Sequence, residues 1–190
     1  MRYRYLGAIA LLTVTTVSSA QRVGGVRPEI RPFAGVYVPA GALRNDFKTA
    51  TMLGMQLAME LSDHLHVLGS LGWTHGHAKF AALSDDVAYI WQYDAGVEFN
   101  LMAELGNGWL LRPLAGLGAG GRTYDYLAAG VGTSSCLAGY GALGTELQKG
   151  AIALRVEGRN YLACVDSPRT GRQHTRNDFG IMFGFAYHLR

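Results

Sequence analysis

The chain has 190 residues, with 17 Lys+Arg against 14 Asp+Glu for a net charge of +3, and two cysteines, Cys136 and Cys164. So even a balance gives no reason to expect a nucleic-acid partner, and two cysteines are too few for a disulfide framework. Glycine is abundant at 26 residues, but it is spread through alternating apolar segments, which argues against low-complexity disorder.

In chain order, Arg2 and Arg4 precede an apolar run, "YLGAIALLTV", and then "SSA", with Ser18 and Ala20 as the small residues before Gln21. A charged start, a short apolar core and small residues at the end of it make residues 1–20 a secretory signal peptide. The run is too short for a membrane anchor, which needs about 20 apolar residues. Residues 21–190 then form one domain, and removal of two arginines leaves 15 bases against 14 acids.

Alternating segments follow at intervals: 29–38, 51–61, 65–74, 87–101, 109–120, 136–148, 151–162 and 179–190. In "VAYIWQYDAGVEFNL" (87–101) every odd position is apolar, while the even positions include Gln92, Asp94, Glu98 and Asn100. A period of two is that of a strand with two unlike faces. The connections run long, short, long, short, long, short, long. Ten-residue strands, tight turns at one end and long loops at the other describe an antiparallel up-and-down barrel that crosses a membrane, turns in the periplasm and loops outside. The fold class expected is therefore all-β, an eight-stranded transmembrane β-barrel.

Alternation alone does not say which face is inside, and a soluble barrel would invert the faces. Aromatic placement favours the membrane. Trp73, Tyr89, Trp91, Tyr161 and Phe179 fall near the outer strand ends, and Phe99, Trp109 and Tyr187 near the inner ends. Two belts of rings mark two membrane–water interfaces.

With "WLLRPLAGLGAGG", "LRVEGRNYL" and the aromatic-rich last strand, residues 28–190 resemble the small eight-stranded outer-membrane barrels, such as the transmembrane domain of outer membrane protein A and opacity-type surface proteins. The resemblance implies a location in the cell outer membrane and a structural, adhesive or surface-interaction role. It also implies outer-membrane lipid and the barrel-insertion machinery, acting through the last strand, as partners. That family usually ends on an outward aromatic; this chain ends "AYHLR".

The inward set is expected to be a polar network of Glu60, Gln92, Asp94, Glu98, Arg112, Glu146, Arg155, Glu157 and Arg159. In so narrow a lumen, nearly balanced acids and bases should pair and fill the interior. A charge-lined channel is the alternative. No catalytic, cofactor or metal motif stands out, and no cofactor is expected. His75 and His77 read as a polar loop pair. Ser167 with His174, and Ser70 with His66, are the pairs that a lipid-modifying enzyme could use; the first lies on a loop with no fixed geometry, and the second faces the lumen in mid-strand with no elbow and no evident oxyanion donors. The glycines of "LGAGG" (117–121) read as sites of close strand approach. Pairing Leu147 with Ile152 across the tight turn would set Cys136 opposite Ala163. A Cys136–Cys164 disulfide then requires pairing to end by about residue 162.

Overall fold

The computed structural model describes residues 27–41, 44, 47–77, 79, 87–126, 133–166 and 173–188. The expected signal peptide and the last two residues, Leu189 and Arg190, lie outside them. The strands are β1 (Arg27–Pro39), β2 (Ala50–Ser62), β3 (Leu65–His77), β4 (Val87–Asn100), β5 (Ala103–Gly106), β6 (Trp109–Tyr126), β7 (Ser134–Lys149), β8 (Ile152–Asp166) and β9 (Gln173–His188).

Every neighbouring pair is antiparallel, and β9 returns to pair with β1, with Ala34 opposite Phe183. That closes an eight-stranded up-and-down barrel. Closure leaves no strand edge, the condition for a sheet to cross lipid. The short β5 is no stave. It prolongs the β4–β6 hairpin at the base, where Gly106, Asn107 and Gly108 turn the chain with φ of 87°, 51° and 76°. Only glycine, and asparagine after it, adopts that region at little cost.

The alternation seen in the sequence is the alternation of the wall. Along β7 and β8, Leu137, Leu143, Ile152, Leu154, Val156 and Leu162 point outward, and Ala138, Tyr140, Ala142, Glu146, Arg155, Glu157 and Arg159 point inward. Leu137 and Leu143 are 82% and 71% exposed, which no water-facing barrel would permit around its whole girth.

Two expectations need correction. The strands rise further than the sequence suggested: β6 runs to Tyr126 and β9 begins at Gln173, inside segments read as loops. The inward parity simply continues there, burying Arg122, Tyr124 and Tyr126. The β7–β8 register is also shifted by two residues, because Lys149 pairs with Ile152 and Gly150, at φ 65°, lies in the turn; Leu147 therefore faces Leu154. The Cys136–Cys164 disulfide is not shown, and the side chain of Cys164 lies outside the described residues. The β7–β8 ladder does stop at Ala138–Ala163, but β8 stays paired with β9 as far as Asp166, with Cys164 opposite Thr175. Cys136 is half-buried on the inward parity.

Candidate functional site

The lumen is built in layers. Near the short-turn end, Arg31 on β1 bonds Glu29, donates to Glu98 Oε1 at 3.0 Å, and contacts His66 Nδ1 at 2.9 Å. From β8, Arg155 grips Glu98, Glu157 at 2.8 Å and Glu146 at 3.4 Å. Arg112 reaches Glu146 at 4.0 Å, and Asn100 Nδ2 donates to Glu98 at 3.3 Å. Glu98, 2% exposed, thus accepts from Arg31, Arg155 and Asn100 together.

In mid-barrel, Arg159 bonds Glu157 and donates to Ser70 at 3.1 Å, to Tyr161 Oη at 3.3 Å and to Asp94 at 3.4 Å. Its guanidinium lies 4.4 Å from the centre of the Tyr140 ring. Space for that ring comes from glycines: a Cβ on Gly118 would stand 2.5 Å from Tyr140, and one on Gly96 would stand 2.4 Å from its hydroxyl. The "LGAGG" glycines therefore serve close approach, as the sequence suggested.

Above this, Arg122 on β6 pairs with Asp178 on β9, donates to Gln92 at 3.3 Å, and lies 3.8 Å from the Tyr161 ring centre. Tyr37 donates to Asp178 at 2.5 Å. At the long-loop end, Phe47 of the β1–β2 connection turns into the mouth, its ring 6.0 Å from Tyr124 and 5.8 Å from Tyr126. The Lys48 amide, bonded to His77 carbonyl oxygen at 3.0 Å, ties that connection to β3. The interior is therefore ionic below and aromatic above.

Each expected lumen residue falls on the inward parity. Gln92, Asp94, Glu98, Glu146, Arg155, Glu157 and Arg159 are buried, Arg112 is half-buried, and Glu60 is half-buried at the short-turn mouth. Among those the sequence reading left out are Glu29, Arg31, Gln56, Arg122 and Asp178, whereas His66 was expected to face the lumen and does. The alternation of "EIRPF" (29–33) put Glu29 and Arg31 on one face, but Pro28 and Pro32, which bracket them, obscured it.

Of the aromatics, Trp73, Tyr89, Trp91, Phe99, Trp109, Phe179 and Tyr187 all face outward near strand ends. Trp73 sits opposite Trp91 and 5.7 Å from the Tyr89 ring. Tyr161 is the exception: it is fully buried in the lumen, accepting from Gln92 at 3.0 Å and donating to Asp94 at 3.2 Å. It shares the parity of Arg155, Glu157 and Arg159, and parity outweighs position along the strand.

His75 and His77 lie on β3 rather than in a loop, outward, with rings 5.7 Å apart. His66 and Ser70 both face the lumen, but His66 is held by Arg31 and Ser70 by Asp94 and Arg159. Ser167 and the side chain of His174 lie outside the described residues.

An exposed apolar wall, rings at both rims and a polar interior define a small membrane-spanning barrel of the outer-membrane type. No protein-family model matches the chain, and no curated protein matches it in sequence. Among solved structures it is similar to Neisserial surface protein A, with a TM-score of 0.65, 9% identity, and 86% of this chain aligned to 99% of that one. It is also similar to Ail, the attachment invasion locus protein of Yersinia pestis, with a TM-score of 0.51, 15% identity, and coverage of 87% and 99%. The N-terminal β-barrel domain of Pseudomonas aeruginosa OprF gives a TM-score of 0.50 at 13% identity, with coverage of 86% and 97%. At such identities the likeness is one of fold.

Proposed function

We propose that this protein is an integral outer-membrane barrel with a filled, non-conducting lumen, exported by its signal peptide and acting at the cell surface through its long-loop end. The observation that carries this reading is the continuous side-chain network from Glu29 to Asp178. Beside it, among the described residues, a pocket lined by Arg31, Phe33, Gln56, Arg155, Glu157 and Met182 offers about 10 Å³, room for one water. A channel needs a continuous wet path, and guanidiniums locked to carboxylates fill this one. With the lumen filled, the long-loop end and the lipid-facing wall are the surfaces left to engage a partner. Two of the structural neighbours are named for the cell surface and for attachment, which accords with a surface-interaction role.

The partners proposed are outer-membrane lipid, against the outward aliphatic band, and the barrel-insertion machinery, against the outward Phe179, Ile181, Phe183, Phe185 and Tyr187 of β9. A non-enzymatic role is supported by the engagement of His66 and Ser70 with ionic partners instead of with each other. Planar-bilayer recording tests the proposal. Reconstituted protein should give no steady steps, and long-lived openings of uniform size would replace this reading with the channel.

A further inference from the structure

At the short-turn mouth, three inward side chains from three consecutive strands converge. Glu29 on β1, Glu60 on β2 and His66 on β3 each bring one ligand-type atom within 4.8 Å of the other two. The ladder enforces this: Glu60 stands directly opposite His66, and Glu29 lies opposite Ala58, one inward position along from Glu60.

A second observation points to a ligand. His66 is 1% exposed, and its Nε2 has no hydrogen-bond partner, although a buried imidazole nitrogen normally finds one. Its Nδ1 is the engaged atom, 2.9 Å from Arg31 Nη2 and 3.8 Å from Glu98 Oε1. The same Arg31 nitrogen also bonds Glu29, so the guanidinium stands where a cation would and must withdraw for one to bind.

We propose that Glu29, Glu60 and His66 form a binding site for a divalent transition ion of the Zn²⁺ or Mn²⁺ class. Two carboxylates and an imidazole are a donor set that such ions favour, with a water completing the coordination. Because a guanidinium only donates, His66 Nδ1 accepts from Arg31 and Nε2 carries the ring proton before an ion binds. On binding, Arg31 withdraws, the proton moves to Nδ1, facing Glu98, and Nε2 coordinates the ion. That arrangement is the carboxylate–histidine–metal relay that fixes a ligand ring. Arg31 cedes His66 and Glu29 and keeps its Nη1 bond to Glu98. Glu60, half-buried at the rim, is the point of entry. A bound ion would join β1, β2 and β3 at the base of the barrel without any catalytic step.

The test must exclude His75 and His77, an exposed pair that can bind zinc by itself. Full-length protein carrying His75→Asn and His77→Asn, refolded in detergent micelles, is titrated calorimetrically with ZnCl₂ and, separately, MgCl₂. One equivalent of Zn²⁺ should bind and Mg²⁺ should not. The temperature at which the compact, fast-migrating form is lost on a gel should rise with Zn²⁺ and fall back with EDTA. Glu60→Gln, at the half-exposed rim, should fold normally and weaken Zn²⁺ on the order of tenfold or more, as should His66→Gln. No binding at millimolar Zn²⁺, or binding unchanged by Glu60→Gln, overturns the site. Neither outcome bears on the filled-lumen reading, which conductance decides.

Discussion

Arg155 on β8 holds Glu98 on β4 with both arms of its guanidinium fork, Nη2 to Oε2 and Nη1 to Oε1, across the lumen and three strands apart around the wall. Both groups are at most 5% exposed. Glu98 also satisfies Arg31 and Asn100, so removing its charge takes a carboxylate from two guanidiniums at once, although Arg31 keeps Glu29 and Arg155 keeps Glu157 and Glu146. Glu98→Gln should therefore cost about 1.5–3 kcal/mol, the worth of charge-assisted hydrogen bonds, in urea unfolding from lipid vesicles. Glu104→Gln, on the exposed β5, should cost close to nothing. Equal costs would mean that the lumen is wetter than its packing implies.

The outward face is tested by depth. Leu143 pairs with Ala115 and Gly158 in mid-wall and points to lipid, whereas Leu105 lies on β5 beyond the wall. Leu143→Arg should destabilise by about 2–4 kcal/mol, and Leu105→Arg by about 0–1 kcal/mol. The check is the urea midpoint, followed by tryptophan fluorescence. A similar midpoint for both variants would mean that mid-wall positions do not meet hydrocarbon.

Tyr140 and Gly118 should trade volume. Any side chain at Gly118 collides with the Tyr140 ring and, at 2.4 Å, with the carbonyl oxygen of Ala95. Because one obstacle is backbone, the ring cannot resolve the clash by turning away. Gly118→Val should cost about 1–3 kcal/mol from overpacking, and Tyr140→Ala in the same chain should recover only part of that. Full recovery, read from the same urea midpoints, would show that the backbone contact yields. By contrast, Gly141→Ala, where an added Cβ meets nothing within 4 Å, should be tolerated.

The faces of the wall were legible because a strand's side-chain period is two and one face meets lipid. The strand count was legible from the alternation of tight turns with long connections. What misled was position used against parity. Tyr161 looked like a rim aromatic because it lies near a strand end, yet it shares the face of Arg159 and turns inward. Arg122 and Asp178 stood in segments whose small and polar residues read as loops, so the upper ion pair was not anticipated. Its partners are 56 residues apart and meet only once the barrel closes. Phe47 gave no periodic signal, because a connection folded back into a mouth has none. The turn at Gly150 illustrates the limit of local reading: a two-residue change of register keeps every face unchanged, so alternation cannot detect it.

The central claim, a barrel with its apolar face in lipid and its polar face inside, is tested most directly by the native tryptophans. Trp73, Trp91 and Trp109 all face outward, at the two rims of the wall. In vesicles of brominated lipids their fluorescence should be quenched strongly, most by bromines placed close to the headgroup, while aqueous acrylamide quenches weakly. Strong acrylamide quenching with no response to brominated chains would contradict the account.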